Sequence, residues 1–111
     1  MDLVQHVRDI LVPLGYPVTH QVRSKQFPSL SYHFFNEGPA LHGDGKIRRE
    51  QCNCQIDIFT QNGKSYPIVR KIRQAMKEAG FLYVRTDDNF ESSIGVYHKV
   101  LVFYLEFETE E

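Results

Sequence analysis

The residues best equipped for chemistry are two cysteines, five histidines and a knot of carboxylates near the C-terminal end. Cys52 and Cys54 stand one residue apart in a segment that alternates apolar and polar positions. A structural zinc site takes four ligands in a tetrahedron, commonly from Cys-x₂-Cys and His-x₃₋₅-His pairs. On a strand, a Cys-x-Cys pair points to one face with its side chains about 7 Å apart. That spacing bites one metal poorly and disfavours a disulfide. No second pair exists, so His33 or His42 would have to complete such a site. A Cys–His nucleophile needs a thiolate in an accessible, electropositive pocket. Here the cysteines share a face with Ile56 and Ile58. Packed, reduced thiols are the expectation.

The remaining candidates point the same way. His98-Lys99 opens an apolar segment, where an acid–base pair would sit near a strand's rim, hydrogen-bonded or solvated. Asp87, Asp88 and Glu91 lack the fixed ligand spacing and distal glutamate of an EF-hand and read as a solvated acidic loop. His42-Gly43-Asp44-Gly45 has no Lys-Ser/Thr and precedes no helix, so it is not a phosphate-cradling loop. Phe34, Phe35, Phe59, Tyr83, Tyr97, Phe103 and Tyr104 supply strand aromatics, but an RNA-binding sheet would set them on a basic face. No catalytic residue, no metal and no cofactor is expected, and the chain is not expected to be an enzyme.

The whole chain must position these groups, and 111 residues suit one domain, 1–111. A chain of this size buries roughly two-thirds of its unfolded surface, enough for one core without a metal or disulfide. Charged residues make up 24% and apolar residues 41%, with a net charge of −1. Without a basic excess, no specific partnership with nucleic acid is expected. No apolar run reaches the roughly 18 residues of a membrane span, and the N-terminus lacks a signal-peptide pattern. No membrane partner is expected, and the chain should be cytosolic where it is made.

Hydrophobic periodicity predicts the elements. Leu3, Val7, Ile10, Leu11 and Leu14 follow a helical period after the capping residue Asp2. Val18 to Val22 is short and extended, and Phe27-Pro28 marks a bend. Leu30 to Phe35 reads as a strand, and Asn36 to Lys46, with three glycines and a proline, as a mobile loop. Ile47 to Thr60 has strict period two: Cys52, Cys54, Ile56 and Ile58 face inward, and Gln51, Asn53, Gln55 and Asp57 outward. Asn62-Gly63 is a turn, Ser65 a candidate N-cap, and Pro67 to Ala79 a helix stopped by Gly80. Phe81 to Arg85 is a strand, followed by an acidic loop, Thr86 to Gly95. From Val96 to Phe107 the chain is apolar at nearly every position, about twice the usual strand length, and wants cover on both faces. A small domain alone hardly supplies that cover, so another subunit is expected to complete or pack the sheet. The expected fold is α+β, a mostly antiparallel sheet with two helices packed on one face.

Several phrases of the sequence carry a resemblance. They are Gly15-Tyr-Pro-Val18 after the first helix, Gln55-Ile-Asp-Ile-Phe59, and Tyr66-Pro-Ile-Val-Arg-Lys-Ile72. The last is Gly95-Val-Tyr-His-Lys-Val-Leu-Val-Phe103. In this order they resemble the tail terminator, or tail-to-head joining, proteins of long-tailed phages and prophages. The family's ending commonly carries a basic residue where this chain has Val102. The resemblance covers most of the chain. It implies a structural protein that closes a homo-oligomeric ring, usually a hexamer, on the end of the tail tube and joins it to the head connector. Implied partners are the chain itself, the tail tube protein and the head connector protein. The implied location is the host cytoplasm during assembly and then the virion. Another head–tail connector, a minor tail protein or a small nucleic-acid-binding α+β module is the alternative.

A ring of identical subunits needs two different complementary patches on each subunit. Lys46, Arg48 and Arg49 are the basic candidate; Asp87, Asp88 and Glu91 the acidic one. Phe90, Ile94 and the start of the last strand, Tyr97, His98 and Lys99, complete the expected interface.

Overall fold

The computed structural model describes residues 1–43 and 46–108, without the side chains of residues 41–48. Helix α1 spans Leu3–Leu11; the Asp2 carboxylate caps it by accepting from the Gln5 amide at 3.0 Å. A 3₁₀ turn, Val12–Leu14, carries Pro13 and ends at Gly15 in the left-handed region, φ +95°. Strand β1 is Val18–His20, β2 is Ser29–Gly43 and β3 is Lys46–Thr60. Helix α2 is Tyr66–Glu78, followed by β4, Leu82–Glu91, and β5, Val96–Glu108. The sheet order is β1-β2-β3-β5-β4. Among the described residues the β1–β2 pair is parallel, and the β2–β3, β3–β5 and β4–β5 pairs are antiparallel. The fold is the expected α+β arrangement.

Period two sorts the strands into two faces. Leu30 and Tyr32 of β2, Cys52 to Ile58 at alternate positions of β3, and Leu101, Phe103 and Leu105 of β5 join one buried cluster. Val7 and Leu11 of α1 and Ile68, Val69, Ile72 and Met76 of α2 close it from the same side. Both cysteines are free and fully buried there, as expected. The Tyr32 ring is fully buried too, and its hydroxyl donates to the Val4 carbonyl at 2.8 Å, which tethers α1 to β2.

Three expectations need correction. Asn36 to Lys46 is no long loop: as far as it is described it is strand, and β2 and β3 form one hairpin. Register shifts fall between Phe35 and Gly38, between Pro39 and Leu41, and between Leu41 and His42. The residues that resemble a loop in composition are absorbed as bulges instead. Pro39 is tolerated because β1 pairs with β2 only from Leu30 to Tyr32, which leaves this half of β2 at the sheet's edge. Thr86 to Gly95 is likewise mostly strand: β4 runs to Glu91, with Asp87 opposite Val100 and Asp88 opposite Lys99. Polar residues are tolerated because β4 is an edge strand and faces water. Ser65 stands at the N-cap of α2 but its side chain makes no capping bond.

Around Val102 the last strand is covered on both faces within this chain, without the second subunit expected there, whereas His98, Val100 and Tyr104 on the face away from the helices are only half-buried. Leu101 and Phe103 enter the core; Val102 points to the opposite face and is still 0% exposed. Gln55 and Arg85 flank it in register. A basic side chain at this position would lose its solvation.

Candidate functional site

The sheet face opposite the helices gathers polar groups around Asp57, a carboxylate only 7% exposed. Pairing of β2 with β3 puts Ser31 opposite Asp57 and His33 opposite Gln55. Pairing of β3 with β5 puts His98 opposite Phe59, one step along the same face. Asp57 Oδ1 lies 2.8 Å from His98 Nε2 and accepts from Gln55 Nε2 at 3.0 Å. Asp57 Oδ2 accepts from Ser31 Oγ at 3.5 Å and lies 3.9 Å from His33 Nδ1. A carboxylate this buried is tolerated because its lone pairs are filled.

The cluster continues as a column of side chains toward the end of the sheet. The His98 ring stacks on Phe59 with centroids 4.5 Å apart. The Arg23 guanidinium lies over the same Phe59 ring, 4.2 Å from its centroid. Arg23 then forks onto Glu91, with Nη1 and Nη2 donating at 3.1 and 2.7 Å. This hydrogen bond holds the Glu91 carboxyl below its ordinary range. Arg23 comes from the segment after β1, Phe59 from β3 and Glu91 from the end of β4. One planar cation therefore links three parts of the chain.

The chemistry of this arrangement is that of an anchored network. Ser31 bonds the carboxylate and not an imidazole, so the order of a serine triad is not present. The cysteines lie on the other face among apolar residues. Burial pushes the Cys52 thiol up to about 11, helped by Glu37, and pushes Cys54 higher still. Such thiols are poor nucleophiles and poor ligands at neutral pH. No group of three His, Cys, Asp or Glu among the described residues is arranged to hold a metal ion. No described helix is long and apolar enough to cross a membrane.

The expected interface residues divide between the two ends of the sheet. Arg49 is opposite Glu108, and its Nε lies 3.9 Å from Glu106. Lys46 and Arg48 belong to β3, but their side chains lie outside the described residues. Asp87 and Asp88 pair instead with Val100 and Lys99, about 26 Å away along β5. Each acidic residue already has a cation of its own chain: Arg85 for Asp87 at 3.0 Å, Lys99 for Asp88 at 2.8 Å, Arg23 for Glu91. The acidic patch is thus largely neutralised before any partner arrives. Apolar surface accompanies it: Phe90 and Tyr97 rings pack at 4.6 Å and both stay exposed, as does Ile94 in the turn 92–95.

Two concave places flank this end. A shallow cavity of about 270 Å³ lies between Ser65 at the start of α2 and Asp88, Phe90, Tyr97 and Lys99. A groove of about 530 Å³ runs between α2 and the start of β4, lined by Arg70, Arg73, Lys77, Phe81, Leu82 and Tyr83. Sequence reasoning placed Asp57 on a polar face and stopped there. It missed Ser31 and His33 as its companions, because only strand register brings them together, and it missed Arg23 beside Phe59 and Glu91.

No protein-family model matches the chain, and no curated protein sequence does. Among solved structures, the fold is similar to a chain in the virion of a native gene transfer agent particle, with a TM-score of 0.58 and 16% identity. The match covers 96% of this chain and 91% of that one. At this identity the likeness is one of fold.

Proposed function

We propose that this chain is a structural protein of a phage-like particle that caps the tail tube and joins the tail to the head connector. The observation that carries the reading is the end-to-end fold likeness to a chain of a gene transfer agent virion. The phrase Gly95-Val-Tyr-His-Lys-Val-Leu, similar to the ending of tail terminators, narrows it to the tail end. Copies of the chain close a ring, a hexamer by the family's habit, with the tail tube on one side and the head connector on the other. The protein acts in the host cytoplasm during assembly and stays in the virion afterwards.

The physical features fit a part that is built in and not turned over. The polar network around Asp57 is internally satisfied, and nothing in the reading requires a catalytic group or a cofactor. Exposed Phe90, Ile94 and Tyr97 at one end of the sheet supply apolar contact area of the kind that anchors interfaces. The test is deletion of the gene in a host that produces the particles, followed by electron microscopy and a count of infectious or transducing particles. Overlong tails, or tails without heads, with loss of functional particles are expected. Particles normal in form and number would overturn the reading.

A further inference from the structure

We infer that β4 is a self-complementary edge on which a second copy of this chain docks, antiparallel and about a two-fold axis through Thr86. The inference goes beyond the particle reading and does not depend on it: the two-fold dimer is a state of the free protein, and it must separate wherever copies close a ring through the same end of the sheet. β4 hydrogen-bonds β5 on one side and, among the described residues, has no strand on the other. It is a ten-residue edge, long enough to template another strand. Proteins blunt such edges or use them.

The two ends of β4 differ in a way that fits a two-fold. Its first part carries exposed Leu82 and Tyr83 beside the groove under α2, rimmed by Arg70, Arg73 and Lys77. The Arg73 guanidinium sits 4.0 Å over the Tyr83 ring. The last part carries Asp87, Asp88 and Phe90, a residue 49% exposed. One end is a basic, apolar-floored groove; the other is an acidic stretch with an aromatic knob. An isologous contact brings each end against its opposite.

Register makes the fit specific. The shift between Tyr83 and Arg85 leaves Val84 as the extra residue of a bulge. With Thr86 on the axis, Arg85 lies opposite the copy's Asp87, and each copy supplies both members. Past the bulge, Tyr83 comes level with Asp88, Leu82 with Asn89 and Phe81 with Phe90. Phe81, Tyr83, Asp88 and Phe90 pair in register with Lys99, Phe103 or Tyr97 or line the same side, the side that α2 covers. The copy's Phe90 therefore enters the groove, and its Asp88 passes beneath Arg73. Any other small shift breaks this: an axis through Asp87 sets two carboxylates face to face. The Arg85–Asp87 pair within one strand is exchanged for two such pairs across the axis, while backbone bonds and Phe90 supply the attraction.

The experiment is sedimentation of the purified protein between about 1 and 100 μM, concentrations where modest interfaces populate. A monomer–dimer equilibrium is expected. Arg85→Glu should raise the dimer dissociation constant at least about tenfold, because it puts like charges across the axis. The double swap, Arg85→Glu with Asp87→Arg, should restore dimerisation. Both positions are exposed, and circular dichroism checks that the variants fold. Independently, Thr86→Cys should form a disulfide-linked dimer under mild oxidation, since residues facing across an antiparallel pair lie within disulfide reach. The wild type, its own thiols buried, should not cross-link. A protein that is monomeric throughout overturns the inference. So does a dimer that ignores the charge reversal, is not restored by the swap, or fails to cross-link through position 86.

Discussion

Ile56 and Asp57 are neighbours in β3, yet they are buried by different physics. Ile56 is held by the helices: it sits in the hydrophobic cluster that α1 and α2 close over its face of the sheet. Asp57 lies on the face away from α1 and α2 and is hydrogen-bonded by its own sheet neighbours, Ser31, Gln55 and His98. On the first face, burial is non-directional and proportional to apolar area. On the second, it holds only as long as each lone pair has a donor. The first face specifies that the chain collapses around its helices. The second specifies which strand residues must be opposite one another, since a slip of one position would separate Asp57 from all its partners.

Removing apolar volume from the helix face should break the comparison most strongly. Ile56→Ala is expected to destabilise the protein by about 2–5 kcal/mol, through lost transfer energy and the cavity left behind. Chemical denaturation should show a lower midpoint with an unchanged slope. A loss below about 1 kcal/mol would mean that the helices do not pack as described.

On the opposite face, Asp57→Ala strands the Gln55 amide and the His98 ring without an acceptor. A loss of about 1–3 kcal/mol is expected, smaller than for the core. Asp57→Asn, which keeps an acceptor, should recover part of it. If Asp57→Ala is neutral, the network is solvated in solution and the face is open.

The thiols sharpen the contrast through pH. Burial raises Cys52 from its ordinary 9.0 to about 11, so the folded state keeps its proton where the unfolded chain has lost it. The sign follows: this contribution is fully present below pH 9 and is lost as the pH rises towards 11. Cys54 acts in the same direction. Thiol labelling of the native protein at neutral pH should therefore be slow, and should accelerate together with unfolding under alkaline conditions. Rapid labelling at neutral pH would place the cysteines at an accessible surface and contradict the buried face.

Much of this was legible from the chain. The one-sided pattern of Cys52, Cys54, Ile56 and Ile58 needs no tertiary information, because the side-chain period of a strand is two whatever it pairs with. The same holds for α1 and α2, whose apolar stripes and capping residue Asp2 are local signals. Even the need of the last strand for cover on both faces is written in its composition. Two stretches misled. Asn36 to Lys46 and Thr86 to Gly95 have the composition of loops, but their backbone groups are satisfied by β3 and β5, and that pairing outweighs weak local preference. What only the tertiary structure decided is who stands beside whom. Ser31, His33, Asp57 and His98 are spread over three strands and become neighbours through strand order and register. Likewise, β4 is an edge only because β5 inserts between it and β3. Propensity and periodicity are properties of a residue and its near neighbours, whereas register and edge status are properties of the closed sheet, so the first can be read from one chain and the second cannot.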